Sequence, residues 1–383
     1  MSFENVSIIE VKSSADMDRF IKFPFKLYAD DENWVPPLIS ERREFFDKSK
    51  NPFFRYARVK YFMAEKDGRI AGRIASIVNF NHNAFHEDTV GFFGFFECID
   101  DYQVAQVLLR VALIELKKEG MTVMRGPTNF STNYELGFVI DDFDAPPVIN
   151  MPYNPGYYIS FMDRFGFQKA KDLYAFKITR ENKPPERVEK IVERIRKKEN
   201  VNVRNLDLKD FDNELKIVNK IYNNAWSRNW GFIPLPDDEF LHIARDMRQI
   251  VDPDLVFIAE VDGNPIGFSM ALPNIYQVLP YAKGRLFPFG ALKLLWHTKI
   301  KNKINSMRVI TMGIEHEYQK RGIDNIFYLD TFKRGYDKGY EWAEISWVLE
   351  DNQLMIRAAE LLGAKKYRTY RVYDLPLGAD QND

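Results

Sequence analysis

The chain carries an internal repeat, and that repeat limits its fold more than any single motif does. Ala64-Glu65-Lys66-Asp67-Gly68-Arg69-Ile70-Ala71-Gly72 shares five positions with Ala259-Glu260-Val261-Asp262-Gly263-Asn264-Pro265-Ile266-Gly267, and the two runs begin 195 residues apart. Near the end of each half, Phe165-Gly166-Phe167-Gln168-Lys169 answers Leu362-Gly363-Ala364-Lys365-Lys366, with the glycines 197 residues apart. Trp34-Val35-Pro36-Pro37 has its counterpart in Trp230-Gly231-Phe232-Ile233-Pro234. Landmarks at nearly one offset indicate a tandem duplication, so both halves should share one topology. The length of 383 residues agrees, because single cores usually stop growing near roughly 250 to 300.

In each half an apolar run enters Asp-Gly and leaves as a second apolar run, which predicts a β-hairpin. Around it the periodicity predicts strands at 7–11, 90–99, 121–125 and 173–178 and helices at 15–28, 38–46, 102–119 and 154–165. Residues 126–150, rich in Asn, Asp, Ser and Pro, read as a long irregular insertion. Asn182-Lys183-Pro184-Pro185 is the linker candidate, followed by a charged helix at 187–199 with an apolar stripe of Val188, Ile191, Val192 and Ile195. The second half repeats the pattern, with its fourth strand at 308–314 and a helix opening at Ile323 or Asp324. The expected division is 1–180, a connector at 181–200, 201–377 and a tail at 378–383.

Between that fourth strand and its helix lies Gln319-Lys320-Arg321-Gly322-Ile323-Asp324. The run resembles the pyrophosphate loop of the GNAT acyltransferases, Gln/Arg-x-x-Gly-x-Gly/Ala. Its departure from that pattern is Asp324 in place of the second small residue. The order β α α β β β α β α β is the GNAT order, and here it occurs twice. The resemblance implies a mixed α/β class with two tandem GNAT-like domains, each a twisted mixed sheet flanked by helices. It also implies acetyl-CoA or another acyl-CoA as co-substrate, and acyl transfer to an amine by direct attack on the thioester.

In the second copy the resemblance implies that Gln319 to Asp324 hold the pyrophosphate through backbone N–H groups at the positive end of the helix dipole. Met312, Gly313 and Ile314 would pair with the pantetheine arm like an added strand, and Asn352 would contact the arm or cap the following helix. Glu315 is the first choice for the base. Strand alternation sets Glu315 and Glu317 on one face and His316 on the other. Where many family members carry a Tyr four residues before the final Gly, this chain has Ala359. The proton for the departing thiolate then comes from Tyr367, Tyr318 or water, or this copy does not turn over. At the equivalent loop the first copy offers Asp100-Asp101-Tyr102-Gln103-Val104-Ala105, without glycine and with two acids, so it reads as a degenerate domain that has lost CoA. It keeps Asn154 and Tyr157-Tyr158, and Asn129, Asn133, Tyr134 and Glu135 are its candidates for substrate contact.

Between Gly263 and Ile314 there is no Asp or Glu, yet Lys283, Arg285, Lys293, Lys299, Lys301, Lys303 and Arg308 are all present. Apolar residues of 286–296 interleave with them. Three uses are open to the insertion at 281–303: covering a lipid-like acyl chain, touching an anionic membrane, or packing on the other copy. The net charge of −1 argues against nucleic acid as the main partner. Cys98, the lone cysteine, excludes an intramolecular disulfide and a cysteine metal cluster, and no metal is expected. The N-terminus has no apolar signal region, and a cytoplasmic setting is the simplest expectation. Two other classes stay open: a non-catalytic acyl-CoA sensor, and an aminoacyl-tRNA-dependent transferase of the tandem kind. The acceptor is expected to be an amine that the residues do not identify, and the resemblance implies acetyl as the default acyl group, with a longer chain as the rival that the apolar insertion suggests.

Overall fold

Both Asp-Gly turns are present in the computed structural model, which describes residues 5–182 and 184–378. Asp67 and Gly68 have φ of 51° and 73°, Asp262 and Gly263 of 51° and 78°, the paired positive values of a tight hairpin turn. Lys183 of the expected linker and the tail beyond 378 lie outside the described residues.

The first half runs β1 (Val6–Glu10), α1 (Ser14–Leu27), α2 (Ile39–Phe45), β2 (Ala57–Lys66), β3 (Arg69–Asn79), α3 (Phe80–His86), β4 (Val90–Cys98), α4 (Tyr102–Lys118), β5 (Val123–Gly126), β6 (Phe138–Val139), α5 (Tyr157–Phe165) and β7 (Gln168–Thr179). The second runs α6 (Glu186–Lys198), β8 (Val201–Asn205), α7 (Phe211–Trp226), α8 (Asp237–Met247), β9 (Val256–Val261), β10 (Asn264–Pro273), α9 (Gly290–Leu295), β11 (Ser306–Ile314), α10 (Asp324–Asp337), β12 (Trp342–Leu349), α11 (Gln353–Leu361) and β13 (Lys365–Pro376).

Two compact units form, and neither is a continuous piece of chain. Of the described residues, unit one takes 5–172, 279–291 and 369–378, while unit two takes 173–278 and 292–368. The single cut expected near 180 is therefore replaced by an exchange of strand ends. In unit one, β13 pairs antiparallel with β5 through Tyr373↔Gly126 and Leu375↔Met124, supplying a neighbour that β5 would otherwise lack. In unit two, residues 173–179 of β7 pair with β12, as in Ile345↔Phe176.

Each unit centres on one parallel pair of strands that starts together and then parts. In unit one β4 and β5 pair only from Val90↔Val123 to Phe92↔Arg125, although β4 continues to Cys98. In unit two β11 and β12 pair from Ser306↔Trp342 to Val309↔Ile345, although β11 continues to Ile314. The antiparallel neighbour of each slips register beside the parting, between Arg73 and Ala75 in β3 and between Met270 and Ala271 in β10. Such bulges bend a strand and sharpen its twist, which steers β4 and β11 away from their parallel partners.

Helix packing fixes these frames. In α4, Leu108, Leu109, Ala112 and Leu116 are fully buried with Ile74 and Met124, an aliphatic stripe at helical spacing. The other face of unit one's sheet holds an aromatic core of Phe20, Phe46, Phe53, Tyr61, Phe95 and Phe130. In unit two, Ile326, Phe327 and Leu329 of α10 bury against the sheet with Val188 and Val192 of α6. Ile191, expected on that stripe, is exposed. No helix among the described residues is long and apolar enough to cross a membrane.

Candidate active site

Beyond Val309 and Ile345 the edge of β11 that faced β12 is released, while its other edge stays paired through Gly267↔Ile314, Phe268↔Gly313 and Ser269↔Met312. Met312, Gly313 and Ile314 thus lie where an extended ligand could add itself to the strand. The alternation expected past them does not occur, because residues 316–318 wind into a 3-10 turn. Glu315 precedes that turn, its N–H donating to Ile266 O at 2.8 Å.

The loop after it is shaped by its own residues. Lys320 and Gly322 have φ of 62° and 82°, and Gln319 Nε2 donates to Ile314 O at 3.0 Å. Its positive φ favours glycine at Gly322, and a Cβ there would meet only the terminal methyl of Ile195 on α6, at 2.9 Å, which a side-chain rotation can relieve. Arg321 donates to Glu199 at 3.2 Å and to Glu317 O at 2.9 Å. Ile323 and Asp324 open α10, as the spacing predicts, but the crook is not an open row of amides. The Asp324 carboxyl is half-buried there; desolvation raises its pKa, opposed by the backbone N–H groups of Asp324 and Asn325. Asn325 N and Ile326 N also donate to Gly322 O and Ile323 O, both at 3.0 Å. In unit one Asp101 takes the equivalent place, accepting from Gln103 N at 2.9 Å and pairing with Lys66. Both crooks therefore hold a carboxylate where the loop pattern expects a diphosphate.

Just before β11 and β12 part, at the paired residues Arg308↔Glu344, unit two holds a polar cluster. Glu344, fully buried on β12, receives hydrogen bonds from Tyr367 Oη and Ser346 Oγ. Arg308 Nε donates to Ser346 Oγ at 2.9 Å and stands 3.9 Å from the Glu344 carboxylate. Tyr367 is thus tied to Glu344. Asn352 acts as a helix cap, its side chain accepting from Met355 N at 3.2 Å.

Unit one has a second such cluster, around Glu97 on β4. Its carboxyl accepts from Tyr28 Oη at 2.6 Å and Tyr158 Oη at 3.0 Å, with Arg73 at 3.8 Å. Burial pushes its pKa up to about 7, against the pull of Arg73 and the two hydroxyls. Desolvation lifts the hydroxyls of Tyr28 and Tyr158 well above the usual phenol range, so both remain donors. Of the residues expected to touch substrate, Asn129 braces β4, accepting from Phe95 N and donating to Glu135, both at 2.6 Å. Asn133 N donates to Ser131 Oγ at 3.2 Å, and Tyr134 packs in the aromatic core. Neither Glu344 nor Glu97 stood out in the sequence. Each is one acid inside an apolar strand, and that burial was the available signal.

No family model matches the chain. Among curated proteins, it is 38% identical over 378 residues to a bacterial ceramide synthase of Caulobacter vibrioides (strain NA1000 / CB15N), covering 97% of this chain and 98% of that one. It is 35% identical over 367 residues to protein YghO of Escherichia coli (strain K12), covering 94% and 92%. Among solved structures, a tandem GNAT protein from the clavulanic acid biosynthesis pathway overlays with a TM-score of 0.56 at 10% identity, covering 98% of this chain and 100% of that one. A GCN5-related N-acetyltransferase from Sphaerobacter thermophilus gives 0.54 at 11% identity, covering 98% and 97%. At these identities the overlays speak to the fold alone.

Proposed function

The chain belongs to the family that contains the Caulobacter vibrioides bacterial ceramide synthase and Escherichia coli YghO, on a tandem GNAT fold, and from that premise we propose that it N-acylates a long-chain amino alcohol with a fatty acyl group taken from acyl-CoA. The observation that carries this reading is 38% identity, over nearly the full length of both chains, to a protein named for making ceramide, an amide of a fatty acid and a long-chain base. The acceptor enters as an ammonium and loses a proton. Its nitrogen then forms a C–N bond at the thioester carbonyl, the C–S bond breaks, and the thiolate leaves with a proton. An amide and a free thiol result, and no covalent enzyme intermediate is needed.

The parted strands of unit two support this chemistry, with the free edge at Met312, Gly313 and Ile314 for the arm of the donor. Glu315 is the proposed base there, and Tyr367, held by Glu344, the proposed proton donor. A second placement is favoured by a separate observation: Glu97, at the parting strands of unit one, has a pKa of about 7, suited to taking a proton at neutral pH. The test is to supply the full chain with sphinganine and either palmitoyl-CoA or acetyl-CoA, following free thiol and the amide by mass. Equal amounts of thiol and long-chain amide are expected, with acetyl-CoA a poor donor. Tyr367→Phe or Glu97→Gln, whichever lowers kcat by roughly 100-fold or more, identifies the working unit. No thiol release from any acyl-CoA by the folded protein would favour the non-catalytic sensor instead.

A further inference from the structure

Of the twelve large hydrophobic side chains that stand exposed among the described residues, six lie between 287 and 300. Phe287 (86% exposed) and Phe289 lie in the chain leading into α9. Leu292 and Leu295 follow within α9, and Trp296 and Ile300 occupy the π-helical turn that continues it. Leu292, Leu295 and Trp296 stand at i, i+3 and i+4, one side of a helix. The same short segment exposes Lys293, Lys299, Lys301 and Lys303, and no acid occurs anywhere from Gly263 to Ile314. The positive field is felt locally: partial desolvation, then Lys303, Lys301 and Lys293, hold the His297 imidazole below its ordinary pKa.

Exposed bulky side chains at this density are costly in water and mark a surface that meets something apolar. A lysine rim without acids fixes the sign of that partner. We propose that residues 292–303 dock on the surface of an anionic lipid bilayer, with Leu292, Leu295, Trp296 and Ile300 entering the acyl boundary and the four lysines meeting lipid phosphates. α9 and the turn that continues it span only Gly290–Ile300, too short to cross a bilayer, so the proposed docking is in the interface plane. The inference stands on exposure and charge. It deepens the proposed reaction only in placing the protein where a long-chain base and its amide would reside.

Vesicle flotation of the full chain tests it, with phosphatidylcholine alone against phosphatidylcholine containing phosphatidylglycerol. Binding to the anionic vesicles is expected, weakening by about fivefold for each lysine among Lys293, Lys299 and Lys301 changed to Gln, and with rising salt. The double variant Leu295→Asp, Trp296→Asp alters exposed positions, keeps the fold by circular dichroism, and should lose binding by more than about 30-fold. Equal binding to neutral vesicles, no binding to either, or a dimer in sedimentation that the double variant dissociates would each overturn the proposal. Acylation of a short-chain, water-soluble amine without vesicles separates the two readings. The double variant should retain it, so loss of flotation with retained thiol release bears only on docking, and the reverse only on chemistry.

Discussion

A carboxyl that burial lifts to about 7 ties stability to pH over a stated window. Glu97 has an ordinary value of 4.5 and a folded value of about 7, so the folded protein prefers its protonated form. That preference contributes fully below 4.5 and is lost as pH rises through about 7. The charged neighbours that set it are Arg73, which lowers it, and Glu135, which raises it, with Tyr28 and Tyr158 as donors. Glu97→Gln imitates the protonated form, so it should leave stability nearly unchanged at pH 4.5 and raise it by up to about 3 kcal/mol at pH 8. Urea unfolding at the two pH values checks this. A uniform loss at both would mean that Gln cannot replace the hydrogen bonds. The side chain was not legible as a site because its partners are remote in sequence: Tyr28 and Tyr158 lie 69 and 61 residues away, and only the folded sheet brings them to β4.

At the scale of elements, what was legible was local. Asp67-Gly68 and Asp262-Gly263 announce hairpins because an Asp-Gly pair accepts the two positive φ values that the turn demands. The strand, loop and helix order around Gly322 was legible for the same reason. What fills the loop was not, since Ile195 of α6 and Glu199, which caps that helix, come more than a hundred residues earlier. The N-terminus of α10 shows the consequence. Its dipole and first amides favour an anion, and Asp324 already supplies one, at the cost of burying its own charge. A CoA diphosphate must displace that carboxylate or bind beside it. Asp324→Ala should therefore tighten CoA binding by about tenfold, as measured by calorimetry. Pantetheine, which lacks the diphosphate, should bind the variant and the parent equally. Unchanged CoA affinity would mean that the donor does not use this crook.

For the whole molecule, the repeat told which strands each half of the chain contributes but not which strands complete each compact unit. Similarity between halves is blind to exchange, because β7 and β13 occupy corresponding places in the repeat. The observed choice makes a cut at the apparent boundary a structural lesion. A fragment of residues 1–180 lacks β13, so β5 loses the neighbour paired through Tyr373↔Gly126 and Leu375↔Met124. It also loses Tyr373 and Leu375 from the buried core around α4 and the Asp374 carboxylate that Arg125 meets at 2.7 Å. Removing two large buried side chains, about 5–10 kcal/mol together, and a strand's hydrogen bonds takes away an amount comparable with the roughly 5–15 kcal/mol by which domains are stable. The fragment should show no cooperative thermal transition. Residues 1–180 joined by a flexible linker to a copy of 365–378 should regain one, because the strand is restored at high effective concentration. If 1–180 alone melts as sharply as the full chain, β13 is dispensable to unit one, and the two halves fold as the sequence repeat divides them.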